Sequence, residues 1–289
     1  MDFIEDMLKK PSIFLDESKL DINFVPETLI GRDKELSLLS QMFLSLITNP
    51  NSISKNVLIT GKMGVGKTVT AKVFGRILVN TAKKRNINIQ YIHINCRIDN
   101  SSYKVLIQAI RLLNKNFPRR GYSTRDLLEI LSDLLDRQNI HLLIVLDELN
   151  YLINKGEDII YSLTRINDAA LNKPQRISII GIVRDLSCLS NLDKATSSTL
   201  QRNIILFKPY SKEQTFNILK NRAEISIIKQ GFTDEIIEMI SNHVLQNGDI
   251  RDGLNILWKA GKLAESNSLK SITPECVLRV IKEKDGNNM

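Results

Sequence analysis

Cysteine is scarce and scattered: Cys96, Cys188 and Cys276 are the only three, and none belongs to a C-x-x-C pair. Such spacing suggests neither a disulfide framework nor a zinc site, and it fits a reducing cytoplasm. No apolar run reaches the ~18 residues that a membrane span needs, so no membrane partner is expected. The first ten residues carry Asp2, Glu5 and Asp6 where a signal peptide would have its apolar stretch. Acidic residues are outnumbered, 32 Asp and Glu against 40 Lys and Arg, which leaves a formal charge of +8. That balance permits a nucleic-acid partner without requiring one. With 289 residues, 43% of them hydrophobic, the chain can bury a sizeable core and is long enough for a main domain plus a smaller appendage.

What is present is organised around Gly61-Lys62-Met63-Gly64-Val65-Gly66-Lys67-Thr68. This G-x-x-x-x-G-K-T follows the apolar run Val57 to Thr60 and precedes helical spacing from Val69 to Asn80, the strand–loop–helix setting of a phosphate site. Glycines let backbone N–H groups converge on phosphate oxygens, and the helix that follows points its positive dipole end at them. Lys67 supplies a point charge for the β- and γ-phosphates, and the Thr68 hydroxyl is placed to ligate Mg²⁺.

A second anchor is His141 to Glu148, a continuous apolar run ending in Asp147 and Glu148. Such a run suits a strand buried on both faces of a parallel sheet. Two adjacent carboxylates are a poor choice for packing alone. Beside a phosphate loop, the first holds Mg²⁺ and the second polarises the attacking water.

Around these anchors the chain alternates. Residues 1–24 read as an N-terminal arm or short helix without clear period. Acidic Asp33 and Glu35 open a helix running to about Ile47. Ile87 to Ile94 alternates like a strand, a helix spans Tyr103 to Leu113, and Ser123 with Asp126 caps another that runs to about Arg137. Between those two helices lies the basic turn Lys115 to Tyr122, with Phe117 and Tyr122 interleaved. A helix from about Asp158 to Ala170 precedes strands at Ile177 to Ile182 and Ile204 to Phe207. Five apolar strands alternating with helices describe a three-layer α/β domain over residues 25–209, with a parallel five-stranded sheet whose C-terminal strand ends share one edge. No strand signal follows Phe207. Caps at Ser211 with Gln214, at Thr233 and at Thr273-Pro274 mark a small all-helical domain over residues 210–289.

The order of these parts resembles an AAA+ ATPase. Ile30-Gly31-Arg32-Asp33-Lys34-Glu35, Ile94-Asn95-Cys96-Arg97, Leu146-Asp147-Glu148-Leu149-Asn150, Tyr161-Ser162-Leu163-Thr164-Arg165-Ile166-Asn167, Pro209-Tyr210-Ser211 and Gly248-Asp249-Ile250-Arg251 narrow the resemblance to the archaeal origin-recognition initiators. The resemblance implies a helical lid and an ATP-controlled, DNA-binding replication initiator. It implies ATP or ADP held by Ile30, Gly31 and Arg32 near the adenine, and by Gly61, Met63, Gly64, Val65, Gly66, Lys67, Thr68 and Val69 at the phosphates. Tyr210 and Arg251 join them, Arg251 as the sensor-2 arginine. Mg²⁺ falls to Thr68 and Asp147, and the catalytic roles to Glu148, Lys67 and Arg251. The clade carries its DNA-pressing insertion where the basic turn falls here, so Lys115, Arg119, Arg120 and Arg125 are the expected contacts to double-stranded DNA. Other initiator or replication proteins are possible partners.

Three departures from the family pattern matter. Arg184 stands where the family has a water-positioning Asn. The arginine-finger position holds Ala195, in Asp193-Lys194-Ala195; Lys194 and Arg202 are the candidates to substitute, but a Lys point charge does not replace a planar fork. The family continues into a winged-helix DNA-binding domain where this chain stops at Met289. Hydrolysis is therefore expected to be slow or absent, and DNA binding by the chain alone weak. An alternative reading is a nucleotide-switched assembly or regulatory protein, such as a transposition or plasmid-maintenance helper, acting on a protein partner.

Overall fold

Apolar runs alternating with amphipathic helices are satisfied by a parallel sheet sandwiched between helices. The computed structural model, which describes Glu5, residues 12–166 and residues 174–286, has that architecture. Strands β1 (Asn56–Thr60), β2 (Ile89–Asn95), β3 (His141–Asp147), β4 (Ile177–Ile182) and β5 (Ile204–Leu206) are all parallel, in the order β2-β3-β4-β1-β5. Every residue of β3 and β4 is buried, as central strands covered on both faces require. The described residues fall into two compact units, those within Arg32–Lys62 and Gly66–Lys208, and those within Met1–Gly31, Met63–Val65 and Pro209–Met289.

In the sheet unit, α1 (Asp33–Phe43) and α2 (Lys67–Lys84) meet through Phe43 and Phe74, ring centroids 5.3 Å apart. Gly75 lets α2 approach β2, because a Cβ there would lie 2.2 Å from the Tyr91 ring. Helices α3 (Ser102–Leu113) and α4 (Thr124–Arg137) send Leu106, Ile110, Leu127 and Leu131 into one core with Leu142, Ile144 and Leu146 of β3. Ser123 and Asp126 form a reciprocal capping box at the start of α4. The first helix ends at Phe43, and a separate turn, Ser45–Thr48, carries the chain past Ile47. The helix expected from Asp158 is seen over Ile159–Thr164, while residues 167–170 lie outside the described residues. So does Asn167, the last residue of the stretch beginning at Tyr161. Strand β5 stops at Leu206, although the Phe207 N–H still donates to the Thr60 carbonyl at 2.8 Å. Before it, α5 (Lys194–Gln201) starts at Asp193, whose carboxylate caps the Ala195 and Thr196 N–H groups.

The other unit is helical: α6 (Lys212–Ser226), α7 (Asp234–Asn247), α8 (Ile250–Ser266) and α9 (Pro274–Gly286), with no strand after Leu206 among the described residues. Ser211 and Gln214 form a second capping box. Residues 12–24 pack here too, Ile13, Phe14 and Leu20 sharing a core with Leu219, Ile240 and Leu257. Gly261 is required by that docking, since a Cβ would sit 2.3 Å from the Phe14 ring. Buried Arg222 lies 4.7 Å from the Phe24 ring and donates to the Asp21 carbonyl at 2.8 Å. Among the described residues no helix is long and apolar enough to cross a membrane.

Candidate functional site

Strand register brings the chemistry together. Ile59 pairs with Ile182, Leu146 with Gly181 and Asn95 with Asp147, so β1, β2, β3 and β4 end at one edge of the sheet. Gly61, Asp147, Glu148 and Arg184 all emerge there. Gly61 has φ +147°, and a Cβ would lie 2.4 Å from the Phe207 carbonyl oxygen, so only glycine fits. Gly66, at φ +87°, is the left-handed residue from which α2 starts. The first N–H groups of α2 consequently face the loop with no intrahelical partner, the arrangement that attracts an anion.

Within this edge, the Lys67 ammonium donates to the carbonyls of Gly61 and Lys62 at 2.5 and 2.7 Å. The Thr68 hydroxyl donates to Asp147 Oδ2 at 2.7 Å. His93 Nε2 lies 3.1 Å from the same oxygen, and the Glu148 N–H donates to Oδ1 at 2.9 Å. Burial opposes ionisation of Asp147, but hydrogen bonds from His93 and Thr68 outweigh it and hold the carboxyl below its usual range. An ionised Asp147 can only accept, so in the neutral His93 ring the proton sits on Nε2, and Nδ1 accepts from the Tyr91 hydroxyl at 3.1 Å. Burial and the Asp147 charge raise the Tyr91 pKa and keep that hydroxyl a donor.

A hydroxyl and a carboxylate within hydrogen-bond reach, beside a loop of N–H donors, suit a hard cation that keeps most of its water, as Mg²⁺ does. Among the described residues no cluster of three or more His, Cys, Asp or Glu forms a metal cage. Thr68 and Asp147 are thus the residues that would hold Mg²⁺, which would supply positive charge to phosphate oxygens at this edge.

Glu148 adopts φ +52°, rare for a residue with a side chain and costing on the order of 1–3 kcal/mol. Its Oε1 accepts from Arg184 Nη2 at 3.0 Å. Arg32 is buried and committed: it donates to Glu35 at 2.9 Å and to the Lys208 carbonyl at 2.7 Å, with Phe207 beneath it at 5.2 Å. Val69 is half-buried on the first turn of α2.

The helical unit holds the other expected nucleotide residues, Ile30, Gly31, Met63, Gly64, Val65, Tyr210 and Arg251. Gln214 donates to the Gly31 carbonyl at 3.2 Å, Val65 and Tyr210 are buried, and Met63 is exposed. Arg251 Nε lies 2.9 and 3.1 Å from the two oxygens of Asp249, the cap of α8. Desolvation works against the Asp249 charge, yet hydrogen bonds from Arg251 prevail and lower its pKa.

In the turn between α3 and α4, Lys115, Arg119, Arg120 and Arg125 are all exposed. Phe117 is buried and stacked on Tyr122, with centroids 5.0 Å apart. Arg111 donates to the Phe117 carbonyl at 2.8 Å and the Tyr103 hydroxyl to the Arg119 carbonyl at 3.1 Å, which fixes the backbone and leaves the arginine side chains outward. Arg125 pairs with Glu129 one helical turn on, at 3.4 Å.

Sequence reasoning missed Tyr91 and His93. Their signal was the period-two alternation of β2, which places Tyr91, His93 and Asn95 on one face. It could not reveal that Asp147 faces them from β3.

A domain described as "Cdc6 AAA+ ATPase-type lid domain" matches residues 216–282, and one described as "AAA domain" matches residues 53–185. The chain is 34% identical over 280 residues to an ORC1-type DNA replication protein 2 of Sulfurisphaera tokodaii, covering 94% of this chain and 67% of that protein. The structure of the Aeropyrum pernix ORC1 protein in complex with DNA is similar, with a TM-score of 0.83 and 27% identity over 95% of this chain and 70% of that one. The Aeropyrum pernix ORC2 protein, solved in ADPNP–ADP complexes, has a TM-score of 0.85 at 22% identity, covering 93% of this chain and 72% of that one, and testifies to the fold alone.

Proposed function

Because this chain belongs to the ORC1-type family of AAA+ DNA replication proteins, we propose that it is an initiator whose bound nucleotide, ATP or ADP, governs its hold on duplex DNA. The observation that carries the reading is the meeting of Lys67, Thr68, Asp147 and Glu148 at one sheet edge, with Thr68 and Asp147 2.7 Å apart. In this account the loop N–H groups and the start of α2 cradle the phosphates. Lys67 exchanges the carbonyls of Gly61 and Lys62 for phosphate oxygens. Arg251 is the lid's phosphate contact once it leaves Asp249. Ile30, Gly31 and Tyr210 serve the nucleotide on the adenine side, where Arg32 acts as scaffold because its guanidinium is already engaged.

Hydrolysis is slow. Ala195 cannot serve as an arginine finger, which alone is worth ~10³–10⁵ in rate, and Arg184 is not an Asn. The DNA complex of the Aeropyrum pernix ORC1 protein supports a DNA partner. Arg119 and Arg120, with Lys115 and Arg125, then meet backbone phosphates and read little sequence.

The test is a salt titration of duplex binding with the protein loaded with ATP and, separately, with ADP. Two distinct affinities are expected. Identical curves in the two nucleotides would remove nucleotide control from the account.

A further inference from the structure

Strand β4 lies between β1, which leads into the phosphate loop, and β3, which ends in the two carboxylates. Its continuation emerges beside both. The Val183 N–H donates to the Ile59 carbonyl and the Leu149 N–H to the Ile182 carbonyl, each at 2.9 Å, so Arg184 comes out level with the start of the loop. There it meets Glu148, Nη2 to Oε1 3.0 Å, with Arg184 42% and Glu148 27% exposed. A pair this open to solvent is a reversible contact, worth little to the fold.

We propose that Arg184 is a positioning residue that brakes hydrolysis by holding Glu148, an inference that rests on reading this edge as an ATP site. In hydrolysis a water oxygen bonds to the γ-phosphorus as the bond from that phosphorus to the ADP oxygen breaks. ADP leaves with the electron pair, and the water proton passes to a Glu148 carboxylate oxygen. A base must present a free lone pair to that water. Arg184 engages Oε1 and so fixes how the carboxylate is presented, and the guanidinium charge beside it opposes the uptake of a proton there. A neutral amide in its place can orient water without taking the base. The brake lengthens the ATP-bound state, which suits a protein whose nucleotide is a signal.

The experiment compares wild type, Arg184→Asn, Arg184→Lys, Glu148→Gln and the double variant Arg184→Asn/Glu148→Gln. ATP affinity is measured by calorimetry, and hydrolysis separately in single turnover. A pair this exposed holds Glu148 only part of the time, so releasing it should raise turnover in Arg184→Asn by about two- to fivefold. Arg184→Lys, which keeps a cation beside Glu148 but loses the planar fork, should fall between wild type and Arg184→Asn. In the Glu148→Gln background the gain should vanish, because the brake works only through that carboxylate. A readout without nucleotide is the hindered guanidinium signal of Arg184 in arginine-labelled NMR spectra, which Glu148→Gln should shift. Unchanged or slower turnover in Arg184→Asn overturns the brake, as does a guanidinium signal indifferent to Glu148→Gln. If wild type binds ATP and turnover does not rise, the brake alone fails; if wild type binds no ATP, the site reading fails with it.

Discussion

Changing Arg119 and Arg120 together to Ala perturbs the candidate DNA contact and little else. Both side chains are exposed. The turn is held by the Phe117–Tyr122 stack and by the bonds from Tyr103 and Arg111 to backbone carbonyls, all of which survive truncation. Each phosphate neutralised on B-DNA contributes about −0.9 to the slope of log affinity against log salt, so losing two contacts should flatten that slope by roughly 1.8. Between 50 and 200 mM salt, that difference makes wild type lose roughly tenfold more affinity than the variant. Fluorescence anisotropy with a labelled duplex, run across that range at saturating nucleotide, reads the slope directly. Two unrelated duplex sequences should behave alike, because phosphate contacts carry no base information. If slope and affinity both stay at wild-type values, the turn does not touch DNA, and a protein partner becomes the better explanation of the nucleotide switch.

Two further outcomes concern the fold beneath the site. His141 is buried, with Nε2 2.9 Å from Ser178 Oγ, and burial lowers its pKa from 6.5 to about 4. The folded state keeps it neutral while the unfolded chain takes up a proton. Its contribution is therefore whole above pH 6.5 and lost as pH falls towards about 4, amounting to about 3 kcal/mol. Urea unfolding across that range should show the decline, and His141→Gln should flatten it; an undiminished slope in the variant would refute the assignment. Gly75→Ala places a methyl group 2.2 Å from the Tyr91 ring, an overpacking worth roughly 1–3 kcal/mol, so the melting midpoint should fall by at least about 2 °C. An unchanged midpoint would mean that the ring moves aside freely.

What could be read from the sequence was local. The turn from β1 into α2 was legible because its backbone forces glycine at Gly61 and Gly66, both at positive φ, and the helix starts at Lys67. The caps at Ser123 and Ser211 were legible because a capping box is complete within four residues. Contacts made across the sheet were not. Nothing near His93 announces Asp147, and nothing near Arg184 announces Glu148, since both meetings depend on β3 being flanked by β2 and β4. The stretch around Phe14 has no period of its own, and its partner, the gap left by Gly261, lies at the far end of the chain. The bonds that hold the Arg32 guanidinium include one across the sequence, to the Lys208 carbonyl, which nothing near Arg32 announces.

The most direct test of the account is ATP binding by wild type and by Lys67→Ala, measured by calorimetry on nucleotide-stripped protein. Lys67 donates to the carbonyls of the loop it serves and belongs to no apolar core, so its removal should spare the fold, checked by circular dichroism. Wild type should bind ATP and ADP, and the folded variant should bind neither measurably. Wild-type ATP affinity in Lys67→Ala would contradict the claim that this loop is the nucleotide site.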